Sequence, residues 1–255
     1  MSDTSLPRPA LGVGALIGDT VRVFFSRIVT FVVLSLLPTA ITVGVQVLIL
    51  GVGAVVSPGQ PGLGAVSGVG LVVVSLTPYL ALAVFGAAVA VAAHDTKTGG
   101  TGTILGYVRA GLAQVIPLAL CNLIAAILIV VGTSLGMVPG LWVFAVFAVV
   151  APAIAIERCG FGGLRRSMDL TREYRWPIMG GAILLFLAMS LFVVLMFGVL
   201  TPVTNAIAPI LSVVVIVFIS AFSFSALFIW IGLLYARLRI IKEGAPTENL
   251  EEVFG

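Results

Sequence analysis

The chain has 255 residues, of which 60% are hydrophobic and only 9% charged, and its mean hydropathy is +1.26. A water-soluble domain carries charge on roughly a quarter of its residues, so the natural solvent of this chain is a bilayer. A net charge of +3 and only two cysteines, Cys121 and Cys159, exclude a disordered chain, a disulfide scaffold and a nucleic-acid binder.

The charged side chains fall in four patches, at residues 1–27, 95–109, 157–175 and 237–252. The gaps 28–94, 110–156 and 176–236 hold no Asp, Glu, Lys or Arg and are 67, 47 and 61 residues long. A helix needs about 20 apolar residues to cross the hydrocarbon, so each gap accommodates two crossings and a turn. Residues 1–10 read as a flexible N-terminal segment, 11–240 as a six-helix membrane domain and 241–255 as a cytoplasmic C-terminal tail. In chain order, the mixed-polarity segment 11–27 leads into a span over 29–54. Ser57, Pro58, Gly59, Gln60, Pro61 and Gly62 form a far-side turn, and the second span is 67–93. Segment 102–114 leads into 115–135, a tip at Gly136, Met137, Val138, Pro139 and Gly140, and a short span over 139–156. Segment 160–175 leads into 177–200, a tip at Pro202, Thr204, Asn205 and Pro209, and a last span over 210–235. The expected fold is an all-α integral membrane protein with six transmembrane helices as three hairpins, each preceded by a short cytoplasmic interfacial helix.

An even number of crossings between patches puts all the basic residues on one side, which the positive-inside rule makes cytoplasmic, with both termini there. The first apolar run is too long, and its charged lead too extended, for a cleavable signal peptide, so the N-terminus is expected to be retained. Two readings of the recurring segment-plus-hairpin pattern stand. It is a threefold internal repeat about an axis along the membrane normal, or it is what any hairpin protein with cytoplasmic loops looks like.

Charged groups inside a bilayer mark ion paths and proton relays, and the spans contain no Asp, Glu, Lys, Arg or His. Gln46 and Asn122 are the amides there; they line a polar cavity or make interhelical hydrogen bonds of about 1 kcal/mol. Pro117 and Pro177 sit in first helical turns, whereas Pro78 and Pro152 bend their spans. Gly64-xxx-Gly68 and Gly132-xxx-Gly136-xxx-Gly140 allow close helix approach. No nucleophile–base or metal-ligand constellation is present, and no cofactor is expected. Asp95, beside His94, reads as a solvated loop residue, and Thr98–Thr103 as a flexible Gly-rich loop without the lysine of a phosphate loop. Cys121 reads as inert; Cys159, beside Arg158, is a packing residue or a thiol with a lowered pKa open to lipidation.

The third interfacial segment is the richest in charge. Phe161, Leu164, Met168 and Thr171 follow one helical face, and Arg165, Asp169, Arg172 and Glu173 the other, with local ion pairs available from Asp169 to Arg165 and Arg172. Arg158, Arg165, Arg166, Arg172 and Arg175 either set topology alone or contact anionic headgroups or a partner protein.

Several runs occur together: Ala151-Pro152-Ala153-Ile154-Ala155-Ile156-Glu157, then Gly160, then Leu164-Arg165-Arg166-Ser167-Met168-Asp169-Leu170-Thr171-Arg172, then Arg175-Trp176-Pro177-Ile178. With Val138-Pro139-Gly140, Leu234-Tyr235-Ala236-Arg237-Leu238-Arg239, Lys242-Glu243-Gly244 and Leu250-Glu251-Glu252-Val253-Phe254, the chain resembles, over about residues 11–254, bacterial multi-pass proteins described as the glycerophosphoryl diester phosphodiesterase membrane domain. The resemblance implies a six-helix fold in a bacterial inner (plasma) membrane. It does not imply the hydrolase activity, because the chain has no room for a catalytic barrel. Gly163 departs from the alanine common in that pattern, which is expected to loosen the short helix. In the same pattern Glu157 and Arg166, or Glu157 and Arg165, are expected to form a partly buried ion pair clamping the loop to the bundle.

The expected function is that of a non-enzymatic inner-membrane scaffold, partner subunit or lipid-organising factor acting from its cytoplasmic face. Its partners would be membrane lipids with anionic headgroups or a membrane protein, the tail from Glu248 to Phe254 docking a helix or capping the bundle. The alternative is a transporter or lipid-handling channel, with Gln46 and Asn122 along a path between kinked helices.

Overall fold

The computed structural model describes residues 11–56 and 68–244. Residues 1–10, the first hairpin tip, Gly64 and the tail from 245 onward lie outside the described residues. The secondary structure of the described residues is all helical: α1 (Val13–Ser26), α2 (Ile28–Leu50), α3 (Val52–Val56), α4 (Gly68–Lys97), α5 (Ile104–Leu112), α6 (Val115–Ser134), α7 (Met137–Phe147), α8 (Val150–Glu157), α9 (Gly163–Thr171), α10 (Arg175–Ile207) and α11 (Pro209–Glu243). A 3-10 turn, Gly160–Gly162, precedes α9. Six stretches are long and apolar enough to cross a membrane: α2, α4, α6, α7 with α8, α10 and α11. The protein is a multi-pass membrane protein.

The short helices α1, α5 and α9 form from the mixed-polarity segments that precede spans. In α1, Leu16, Thr20, Val23 and Phe24 are buried at helical spacing, and the Phe24 ring meets Phe222 of α11 edge-on at 4.9 Å. In α5, the Thr103 hydroxyl accepts the Gly106 N–H at 3.2 Å, satisfying one of the free donors of a helix start.

Helix α11 is the axis of the bundle, packed against α1, α2, α4 and α10, with Trp230 and Tyr235 fully buried along it. Helix α2 also packs against α4, and α6 against α7. Small residues set the spacing. A Cβ built on Gly232 would lie 2.6 Å from the Ala90 carbonyl oxygen, and one on Gly111 would lie 2.5 Å from that of Val84. Backbone therefore meets backbone between α11 and α4 and between α5 and α4. A Cβ on Gly132 would approach Gly140 Cα to 3.1 Å, so this glycine spacing serves the α6–α7 contact within one chain. Gly136, at φ 142°, turns the chain between them.

The third tip differs from the sequence expectation. Helix α10 continues through Pro202, Thr204 and Asn205 to Ile207, and the only break before α11 is Ala208 in extended geometry. One proline removes one N–H and bends a helix without ending it when neighbours still hydrogen-bond; here the Ala208 N–H still donates to the Thr204 carbonyl at 2.9 Å. Pro209 opens α11 at the position where a missing N–H costs little. Pro38 and Pro78 likewise sit inside continuous α2 and α4.

The fourth span does break, at Ala148–Val149 between α7 and α8. Pro152, four residues beyond Ala148, has no N–H for its carbonyl. Substituting Gly232→Ala forces α11 off α4 and is expected to lower stability by about 1–3 kcal/mol, read as the melting temperature in mild detergent. Gly180→Ala, where an added Cβ meets nothing within 4 Å, is the matched control and should not destabilise.

Candidate functional site

The break between α7 and α8 is where α9 docks. The Val146 carbonyl, in the last turn of α7, accepts from the Ser167 hydroxyl at 2.8 Å, and the Thr171 hydroxyl is within 3.2 Å. Ser167 and Thr171 are wholly buried. A carbonyl at a helix break in an apolar bundle needs such a donor, and the Ser167 hydroxyl supplies it; the Thr171 hydroxyl lies nearer the Ser167 carbonyl of its own helix, at 2.9 Å. Gly163 completes the contact, since a Cβ there would lie 2.2 Å from Ile154 Cγ1. The glycine lets α9 lie directly on α8.

The docked face of α9 is Gly163, Ser167, Leu170 and Thr171. Phe161 and Met168, on the same face as Thr171 by their spacing, are 61% and 38% exposed. A hydroxyl with a carbonyl to cap belongs inside, and a phenyl ring can rest in lipid. Phe161, Arg165, Met168 and Arg172 thus share the outer surface, and Trp176, which follows, is exposed too. Asp169 forms no ion pair with either Arg165 or Arg172; these exposed side chains gain little by pairing in water.

At the end of α8, Glu157 receives a fork from Arg166, with Nε 2.7 Å from Oε2 and Nη2 2.8 Å from Oε1. Arg165 is not its partner. The Tyr235 hydroxyl donates to the same Oε1 at 2.6 Å. Arg166 Nη2 also bonds Glu243 Oε1, and Glu243 Oε2 accepts from Arg239 Nε at 2.9 Å. The hydrogen bonds to Glu157 push the Arg166 guanidinium still further toward its charged form. Lys242 reaches Glu173 Oε2 at 3.3 Å. Tyr235 and Glu243 were not singled out from sequence, although Tyr235, Arg239 and Glu243 recur every four residues and so share one face of α11.

The other charged patches join the same end. Lys97 pairs with Asp19 at 2.7 Å. Arg27 bonds the Gly100 carbonyl and, at 3.5 Å, the Tyr107 hydroxyl. Asp95 is an organising group and not a merely solvated one: it accepts from the Tyr107 hydroxyl and from the Gly102 N–H at 3.0 Å. These bonds pin the Gly-rich loop, whose composition alone predicts flexibility. Burial and the bond to Asp95 push the Tyr107 phenol up to about 12. The His94 ring lies 6.1 Å from that of Tyr235.

Of the five arginines, Arg166 is consumed by the clamp. Arg175 lies over the Trp142 ring at 4.6 Å. Arg158, Arg165 and Arg172 are exposed and form no ion pair among the described residues. Arg158 ends α8 at φ 53°. The Cys159 Sγ–H donates to the Ala153 carbonyl at 3.4 Å; burial and the Glu157 charge push its thiol pKa up, the reverse of activation by Arg158. Cys121 is buried. Gln46 lines a cavity of about 250 Å³ between α2, α4 and α11. Asn122 does not line it, because its side-chain amide donates to the Leu118 carbonyl of its own helix at 2.8 Å. Among the described residues no three His, Cys, Asp or Glu side chains gather to hold a metal.

Comparisons with family models, with curated proteins and with solved structures returned no match.

Glu157→Gln removes the forked charge partner of the half-buried Arg166 and leaves it Glu243 alone. Fully buried pairs cost 3–5 kcal/mol to break; with both side chains here partly exposed, a loss of roughly 2–3 kcal/mol is expected, and Tyr235→Phe should cost about 1 kcal/mol. Both are read from thermal unfolding in detergent. At pH 7.5, Cys159 should alkylate with iodoacetamide several-fold more slowly than a free cysteine, and mass spectrometry of the modified peptide follows it.

Proposed function

We propose that this protein is a non-enzymatic, lipid-organising factor of a bacterial inner membrane, with its charged end in the cytoplasm and α9 as the element that meets anionic headgroups. The observation that carries this reading is the division of labour among the arginines. Glu157, Tyr235 and Glu243 hold Arg166 and so fix α9 to the bundle, while Arg158, Arg165 and Arg172 stand exposed beside Phe161, Met168 and Trp176. Alternating guanidinium and apolar side chains suit the headgroup boundary, where forked donors meet phosphate and rings rest at the acyl edge.

The reading includes three hairpins, α2 with α4, α6 with α7 and α8, and α10 with α11, preceded by α1, α5 and α9 as cytoplasmic interfacial helices and related as a threefold repeat. It also takes up the resemblance to the glycerophosphoryl diester phosphodiesterase membrane domain. On the fold just described, Ser167 of the shared runs would be the donor at the break, and Glu157 and Arg166 the clamp. Scaffolding of a partner protein from the same surface is compatible with it. Passage of a substrate between the kinked helices is less well supported, because Gln46 and Asn122 do not share a path.

Each basic group near an anionic surface is worth about 1 kcal/mol, so replacing Arg158, Arg165 and Arg172 together with Gln should weaken retention of phosphatidylglycerol about 100-fold. Native mass spectrometry of the protein from mixed phosphatidylglycerol and phosphatidylcholine nanodiscs measures this. Equal retention of the two lipids by the unmodified protein would reject the proposal.

A further inference from the structure

Away from the arginines, the cavity between α2, α4 and α11 has the chemistry of a ligand site. Ser35, Thr39, Thr42 and Gln46 line it from α2, spaced four, three and four residues apart, which places them in one stripe along the helix. Ser220 of α11 also lines it, as do the rings of Phe85, Phe224 and Phe228. One wall depends on Gly86, where a Cβ would fall 2.3 Å from the Phe228 ring. No charged residue is among the lining.

The stripe is not satisfied from within. Thr39 donates to the Ser35 carbonyl at 2.6 Å, as hydroxyls in helices commonly do. Ser35 does not make the equivalent bond: its Oγ is buried without a hydrogen-bond partner, and the residue is 2% exposed. The carbonyl four residues back, that of Phe31, is instead approached by the Ser225 hydroxyl at 3.5 Å. Pro38 and Pro78 also line the cavity, and Pro38 has no N–H to give the Leu34 carbonyl. Buried polar groups normally find partners, and an orphan calls for an explanation.

We propose that this cavity binds one uncharged amphiphile, an apolar chain or ring carrying hydroxyl or carbonyl oxygens, admitted from the lipid. The lining lies wholly within helices long and apolar enough to span the membrane, so a ligand reaches it most directly through the hydrocarbon. A charged head would find no counter-ion there and is excluded by desolvation. A plain alkane would leave Ser35 unpaired. A chain with a hydroxyl or carbonyl places its oxygen on Ser35, Thr42 or Gln46 and its carbons against the phenyl rings. About 250 Å³ would hold about eight waters at ~30 Å³ each, or one such group with its adjoining chain. The site is independent of α9 and of the headgroup reading.

The test is photolabelling of the full chain in membranes with a diazirine-bearing twelve-carbon alcohol, mapped by peptide mass spectrometry. The expected result is label on α2, α4 and α11 residues of the cavity, displaced by excess 1-dodecanol but not by dodecane or by dodecanoate at pH 8. Ser35→Val and Thr42→Leu, each tested separately, should reduce cavity label at least tenfold while label on the lipid-facing side of α10 stays constant. Should one of these variants fail to fold, the other and the competition in the unmodified protein decide. Replacement of Arg158, Arg165 and Arg172 should leave cavity label unchanged. Cavity label no greater than that on α10, displacement by dodecanoate or dodecane as effective as by the alcohol, or label insensitive to both folded variants would each overturn the proposal, leaving water as the occupant.

Discussion

Hydrocarbon supplies no hydrogen bonds, and most features of this molecule follow from that constraint. Every polar group within the bundle must find a partner in the protein or face an energetic cost of about 1–3 kcal/mol. The fourth span breaks between α7 and α8, where Pro152 has no N–H for the Ala148 carbonyl, and the Ser167 hydroxyl donates to the nearby Val146 carbonyl. The consequence is positional, because donors must be brought on a helix, and that helix is α9. Gly163 then permits contact with Ile154, and Glu157, one turn beyond the proline, captures Arg166. A local backbone defect thereby fixes where an arginine-bearing helix sits.

The same constraint sorts the charges. Lys97 with Asp19, Arg27 with Gly100 and Tyr107, Arg166 with Glu157 and Glu243, and Lys242 with Glu173 connect the charged patches at one end of the bundle. Exposed pairs of this kind contribute little individually. The pair at Glu157 differs because Tyr235 and Arg166 fill the carboxylate from two helices, and Tyr235 is fully buried. It ties α8, α9 and α11 together where three separate surface pairs would not.

Much of this was legible in the sequence wherever one physical rule dominates. Gaps between charges placed the six apolar stretches to within a few residues at most ends, because burying an unpaired charge in lipid is costly whatever the packing. The rule fails where packing chooses between permitted alternatives. Pro202 read as a turn, but a lone proline bends a long apolar helix and Ala208 makes the actual break. Phe161 and Met168 share a face with Thr171 by their spacing, yet Thr171 is buried with Ser167 while the two apolar side chains are exposed, as lipid permits. Asp95 read as solvated because nothing in its neighbourhood announces that Tyr107, twelve residues on, turns back to it. The hydroxyl stripe at Ser35, Thr39, Thr42 and Gln46 and the Tyr235–Arg239–Glu243 face were visible as spacings; what gives them meaning, an unfilled space and a carboxylate on a neighbouring helix, is tertiary.

The central claim is that the charged end is a single surface and that it faces the cytoplasm. Single cysteines introduced in a background lacking Cys121 and Cys159 test it, with a membrane-impermeant maleimide applied to spheroplasts. Leu135→Cys and Ile207→Cys, both at exposed positions at the far ends of their helices, should be labelled from outside. Thr98→Cys, Asp169→Cys and Lys242→Cys should be labelled only after lysis. Outside labelling at any of those three positions in intact spheroplasts would contradict the account.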